Sequence, residues 1–174
     1  MGSMALLDRS EFLRLFSGIY ESSPWVAETV FDGCDLSGVD RPTGLADDMA
    51  RVVAQSGKDR QLALVRAHPE LAIRPGEGEK LTSYSESEQT GAGLTELGDD
   101  ERDDFARLNR LYREKFGFPF IIAVRGLDRA AILSSMSERL ENDVEAEFRE
   151  ALRQIDRIAF FRLESLDSEF EPSR

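Results

Sequence analysis

The sequence predicts an all-α fold: a compact single-domain helical bundle over residues 1–174 with one buried extended segment. Three observations predict it. Apolar residues recur at three- and four-residue spacing through most of the chain, the stretches between them are mostly short, and strand-like and helix-like stretches never alternate as a βαβ architecture requires. Only residues 118–124, Phe-Pro-Phe-Ile-Ile-Ala-Val, run apolar without interruption as a buried strand would, and no second strand exists to pair with them.

Taken in order, Phe12, Leu15, Phe16 and Ile19 share one helical face behind Ser10, which is expected to cap that helix. Pro24 suits the first position of a second helix with Trp25, Val26 and Val30 on its apolar side, and Asp32-Gly33 breaks it. After a polar loop to about Thr43, Leu45, Met49 and Val52/Val53 continue the period as far as Ser56-Gly57. Leu62, Leu64 and Val65 then mark a helix running towards His68-Pro69. A residue before proline is pushed out of the helical region, so His68 is expected where that helix gives way to irregular backbone.

Residues 73–82 lack periodicity and carry turn formers, which marks a surface loop. A short helix follows at residues 85–89, with Ser85 and Glu88 in capping-box spacing. Phe105, Leu108, Leu111 and Tyr112 define a long helix with a natural stop at Gly117. Ala130, Ile132, Leu133, Met136 and Leu140 predict another, and Val144, Phe148, Leu152, Ile155, Ile158 and Leu163 a longer last one. Residues 1–3 read as a cloning remnant before a natural Met4, and residues 167–174 as a flexible tail.

Composition removes several function classes. The formal charge of −12, from 34 acidic and 22 basic residues, repels phosphate backbones and anionic lipid, so nucleic acid is not an expected partner. No apolar run approaches the ~20 residues that cross a bilayer, so no membrane association is expected. Cys34 is the single cysteine and His68 the single histidine, which leaves neither a disulfide, a Cys-x-x-Cys pair nor an ordinary transition-metal ligand set; no metal is expected. With no signal peptide, cytoplasm is the expected location. Nucleotide-binding and nucleophile-elbow motifs are absent from the sequence.

Three places can carry chemistry. His68 has the one side chain that titrates near neutrality, held between a helix end and Pro69; it suits acid–base work, and equally a structural histidine that only bonds its neighbours. Ser85, Glu88 and Gln89 can line a polar pocket at a helix N-terminus, although Ser-x-x-Glu by itself reads first as a cap. Arg162 lies on the apolar stripe of the last helix, seven residues after Ile155 and four after Ile158. A charge there needs a partner, either an anionic ligand or an internal glutamate.

Together, Ala67-His68-Pro69-Glu70-Leu71-Ala72, then Leu81-Thr82 with Ser85 and Glu88-Gln89, then Lys115-Phe116-Gly117-Phe118-Pro119-Phe120-Ile121-Ile122 resemble the OHCU (2-oxo-4-hydroxy-4-carboxy-5-ureidoimidazoline) decarboxylase family. Residues 137–142, Ser-Glu-Arg-Leu-Glu-Asn, and Arg162-Leu163 extend the resemblance over most of the chain. It departs from the family at Ile73, where many members have Gly, and at Ser83-Tyr84, often Pro-Glu, which touches loop geometry only.

The resemblance implies a lyase of urate degradation that forms (S)-allantoin without a cofactor, as a homodimer. It implies His68 and Glu88 as catalytic residues, Arg162 on the carboxylate of a small anionic substrate, Ser85 and Gln89 on its ring or ureido group, and Pro69 with the backbone of Phe120, Ile121 and Ile122 completing the pocket. Two rivals stand beside it: a non-catalytic helical binding module, and a hydrolase of a related ureido compound.

Overall fold

The computed structural model describes residues 4–74, 76–78 and 80–170. Among them are eight α-helices, two short 3₁₀ helices and no strand. The helices are α1 (Arg9–Phe16), α2 (Trp25–Gly33), α3 (Ala46–Gln55), α4 (Lys58–Arg66), α5 (Ser83–Gly91), α6 (Asp99–Phe116), α7 (Arg129–Arg139) and α8 (Val144–Phe170). The chain divides into two compact units, Met1–Ala67 with Asp156–Arg174, and His68–Ile155, and α8 contributes residues to each.

In the first unit α1 is capped by Asp8, two residues ahead of Ser10. Asp8 Oδ1 accepts from the Glu11 N–H at 2.9 Å while Glu11 Oε2 accepts from the Asp8 N–H at 3.2 Å. This reciprocal box satisfies two orphan donors at once, which Ser10 lacks the partner to do. Pro24 is the cap of α2 rather than its first residue. Phe12 and Phe16 are buried, and Phe12 meets Phe31 of α2 at 5.2 Å. The helical period brings Val26, Val30, Leu45, Met49, Val53, Leu64 and Val65 into the same core.

The flexible tail expected at residues 167–174 does not begin there, because α8 stays helical through Phe170. The physical reason is local: Asp167 accepts from the Thr43 N–H at 3.0 Å and the Thr43 hydroxyl at 2.8 Å, and Phe170 stacks against Phe16. Residues 171–174, like the supposed remnant 1–3, lie outside the described residues.

In the second unit α5 starts at Ser83, earlier than expected. Its cap is Thr82, whose hydroxyl accepts from the Ser85 N–H at 3.3 Å, so the supposed capping box at Ser85 and Glu88 is not the cap. The long helix α6 has Asp99, Asp100 and Glu101 in its first turn and Arg113 and Lys115 in its last, charges that suit the two ends of the helix dipole. It ends at Gly117 with φ 75°, a left-handed cap that glycine adopts without strain. Residues 119–124 then run with neither helix, turn nor bend, and Phe118, Phe120, Ile121, Ile122, Ala123 and Val124 are all buried. The buried extended segment is therefore real, in an otherwise helical chain.

Candidate active site

The polypeptide leaves α4 at Arg66 and reaches His68 after one capping residue, so the imidazole sits at a helix end as the following proline dictates. His68 is 8% exposed. The turn behind it contains Ala72 at φ 60°, a left-handed conformation that a residue with a Cβ adopts at a cost of about 1 kcal/mol. Such a turn persists only when its surroundings hold it.

Two buried amides do so. Gln89 Oε1 accepts from the Ala72 N–H at 3.0 Å, and its Nε2 donates to the Glu70 carbonyl at 3.3 Å. Asn109 Nδ2 donates to the Leu71 carbonyl at 2.9 Å. Arg113 adds an ion pair to Glu70 at 2.7 Å. Gln89 thus uses both ends of its amide on the backbone just after His68-Pro69, a positioning role that its spacing beside Glu88 did not disclose.

On α5, Ser85, Glu88 and Gln89 are spaced i, i+3 and i+4 and so share one face. Ser85 and Gln89 are buried and Glu88 half-buried, whereas Glu86, Ser87 and Thr90 face solvent. Through Gln89 this face is tied to the His68 turn.

Helix α6 supports the third part. One turn beyond Asn109, the Tyr112 ring meets Phe120 edge-on at 5.4 Å. One helix therefore supports both the His68 turn, through Asn109 and Arg113, and Phe120, through Tyr112. The hydroxyl of Tyr112 donates to the fully buried Glu147, and burial first, then that carboxylate, push the phenol well above its usual range.

Arg162 belongs to the first unit, on α8. It is 2% exposed, and its Nη1 donates to Glu21 Oε2 at 3.1 Å, to the Ile19 carbonyl at 3.2 Å and to the Gly18 carbonyl at 3.4 Å. The internal glutamate that the apolar stripe called for is Glu21, itself 3% exposed. Sequence reasoning did not find it, and its only signal was an acid next to the apolar Ile19-Tyr20 pair.

The second unit also contains a cleft of about 430 Å³, lined by Ile73, Gly78 and Leu81 of the 73–82 loop together with Glu70, Gln89 and Leu94. Gln89 and Glu70, joined by a hydrogen bond, both line this cleft.

With this geometry in place, comparison with known proteins is decisive. A family model described as OHCU decarboxylase matches residues 5–164. The 2-oxo-4-hydroxy-4-carboxy-5-ureidoimidazoline decarboxylase of Haloferax volcanii is 42% identical over 157 residues, covering 90% of this chain and 89% of that protein. A uric acid degradation bifunctional protein of a Bacillus species is 39% identical over 165 residues, 95% of this chain but 32% of that protein. The crystal structure of (S)-allantoin synthase superposes with a TM-score of 0.72 at 34% identity, over 91% of this chain and 50% of that one. This chain accordingly belongs to the OHCU decarboxylase family of carboxy-lyases.

Proposed function

We propose that the chain decarboxylates 2-oxo-4-hydroxy-4-carboxy-5-ureidoimidazoline to (S)-allantoin in urate degradation, without a cofactor. The observation that carries this reading is the assembly of the second unit: the His68-Pro69 turn is tied to the Ser85, Glu88 and Gln89 face, and the helix that holds that turn also packs on Phe120. Family membership across residues 5–164 supports it, and supports reading both units as one domain.

The substrate carries its own electron sink. The bond from the ring carbon to the carboxylate breaks, its electron pair forms a double bond to the neighbouring ring carbon, and the former C=N electrons pass to nitrogen, which takes a proton. The hydroxyl on the reacting carbon then loses its proton as the neighbouring carbon gains one, which gives the ring carbonyl of allantoin. His68 takes or relays the hydroxyl proton, and Glu88 orients the imidazole or the substrate. Delivery of the proton to one face sets the (S) configuration. Arg162 binds the carboxylate, with Ser85, Gln89, Pro69 and the backbone of Phe120, Ile121 and Ile122 around the ring and ureido group. Since the carboxylate charge disperses as CO2 leaves, Arg162 chiefly holds the ground state.

The test is to generate the substrate freshly from urate and follow ultraviolet absorbance and circular dichroism. The protein should accelerate the appearance of one allantoin enantiomer, and His68→Ala should lower kcat by about 10²–10³ with little change in KM. No acceleration by folded protein, or an unchanged kcat in the variant, refutes the assignment. We further propose a homodimer in the cytoplasm, which light scattering on a sizing column and fractionation test.

A further inference from the structure

Residues 119–124 make no strand pairing, so side chains have to hold them in place. Two do. Arg139, on the last turn of α7, donates from Nη1 to the Ile121 carbonyl at 2.8 Å, and its guanidinium carbon lies 4.4 Å from the centre of the Phe120 ring. Gln154 Oε1 accepts from the Ala123 N–H at 3.0 Å. In extended backbone, alternate residues present their polar groups to opposite edges, so Ile121 and Ala123 offer theirs on one edge and Phe120 and Ile122 on the other. The side-chain clamps occupy the first edge.

Arg139 is itself immobilised. Its Nε and Nη2 both reach Glu147 Oε1, at 2.8 and 2.5 Å, and Glu147 is fully buried with Tyr112 and Asn142 as further donors. Planar, charged and with several donors, the guanidinium can bridge a carboxylate, a carbonyl and a ring face at once; an ammonium cannot. The network is anchored on α6, α7 and α8, so the position of Ile121 follows from helix packing rather than from strand neighbours.

We infer that Arg139 is a positioning residue for substrate binding: braced by Glu147, it fixes Phe120 and Ile121 so that the opposite backbone edge meets the ring and ureido group of the substrate. This rests on the decarboxylase reading given above. Arg139 touches no reacting atom, and its effect passes through the segment it holds.

A purely structural arginine and a positioning arginine differ in kinetics. Loss of folded protein lowers the apparent kcat in proportion and leaves KM alone, whereas displacement of the binding edge raises KM. The paired variant Arg139→Met with Glu147→Gln avoids an unpaired buried charge and keeps an acceptor for Tyr112. Its KM should rise roughly tenfold or more, the affinity for (S)-allantoin should fall in parallel, and the amides of residues 120–123 should exchange faster while the rest of the domain keeps its protection. Arg139→Lys, which retains a cation for Glu147, should show the same rise in KM if the paired variant does not fold. An unchanged KM and product affinity in a folded variant, with the wild type active, overturns the role of Arg139 alone. Absence of activity in the wild type overturns the decarboxylase reading and this inference with it.

Discussion

Two buried arginine–glutamate pairs, one in each unit, are built differently. Arg139 sends two nitrogens to one oxygen of Glu147 at 2.5 and 2.8 Å, and that carboxylate also takes Tyr112 and Asn142. Arg162 Nη1 donates to Glu21 Oε2 at 3.1 Å and also to two backbone carbonyls at 3.2 and 3.4 Å. Short, converging contacts describe an arginine whose partner is settled. Contacts shared between a carboxylate and two carbonyls describe a charge steadied by the peptide backbone as well as by an acid. Burial alone would not have separated the two, since both arginines are almost fully covered.

The largest effect that bears on this contrast is Glu147→Ala. It leaves Arg139 buried without its counter-ion, and urea unfolding should register a loss of about 3–5 kcal/mol. Glu21→Ala should cost less, about 2–3 kcal/mol in the same measurement, because the Gly18 and Ile19 carbonyls still accept from Arg162. Equal or reversed losses would break the comparison. Arg162→Lys sharpens it on the functional side: steady-state kinetics should give a KM raised about 10- to 100-fold with a smaller change in kcat, since an ammonium cannot pair bidentately with a carboxylate.

The smallest effect concerns Asp156, also in the first unit, whose carboxyl is raised above its usual range by burial and partly brought back by the Tyr20 hydroxyl that donates to it at 2.8 Å. A raised carboxyl favours the native state at low pH and loses that contribution as pH climbs through the native-state value. Asp156→Asn should therefore stabilise the protein at pH 7, by up to about 1 kcal/mol given the partial exposure of the site, and the advantage over wild type should vanish below about pH 4 in thermal melts.

Several parts of the site could be read in advance, and the reasons are specific. Pro69 constrains its neighbour locally, so the setting of His68 at a helix end followed from two adjacent residues. Arg162 stood out as a charge on an apolar stripe, but its partner is 141 residues away and no periodicity links them. Arg139 carried the same kind of signal, seven residues after Ile132 and three after Met136, as did Glu147, four before Ala151 and eight before Ile155. At α1, Asp8 and Ser10 were both able to cap, and the reciprocal bond with Glu11 chose between them.

What the sequence by itself determined was the all-helical class, the order of the helices, the stop at Gly117, the unpaired apolar segment and the family, because each depends on spacing or on contiguous motifs. What only the tertiary structure decided was which buried charges pair, that Gln89 holds the His68 turn, and that Arg139 and Gln154 do the work of a missing strand. Those outcomes depend on the packing of helices that are far apart in the chain, where desolvation leaves each buried polar group only the partners that the fold delivers.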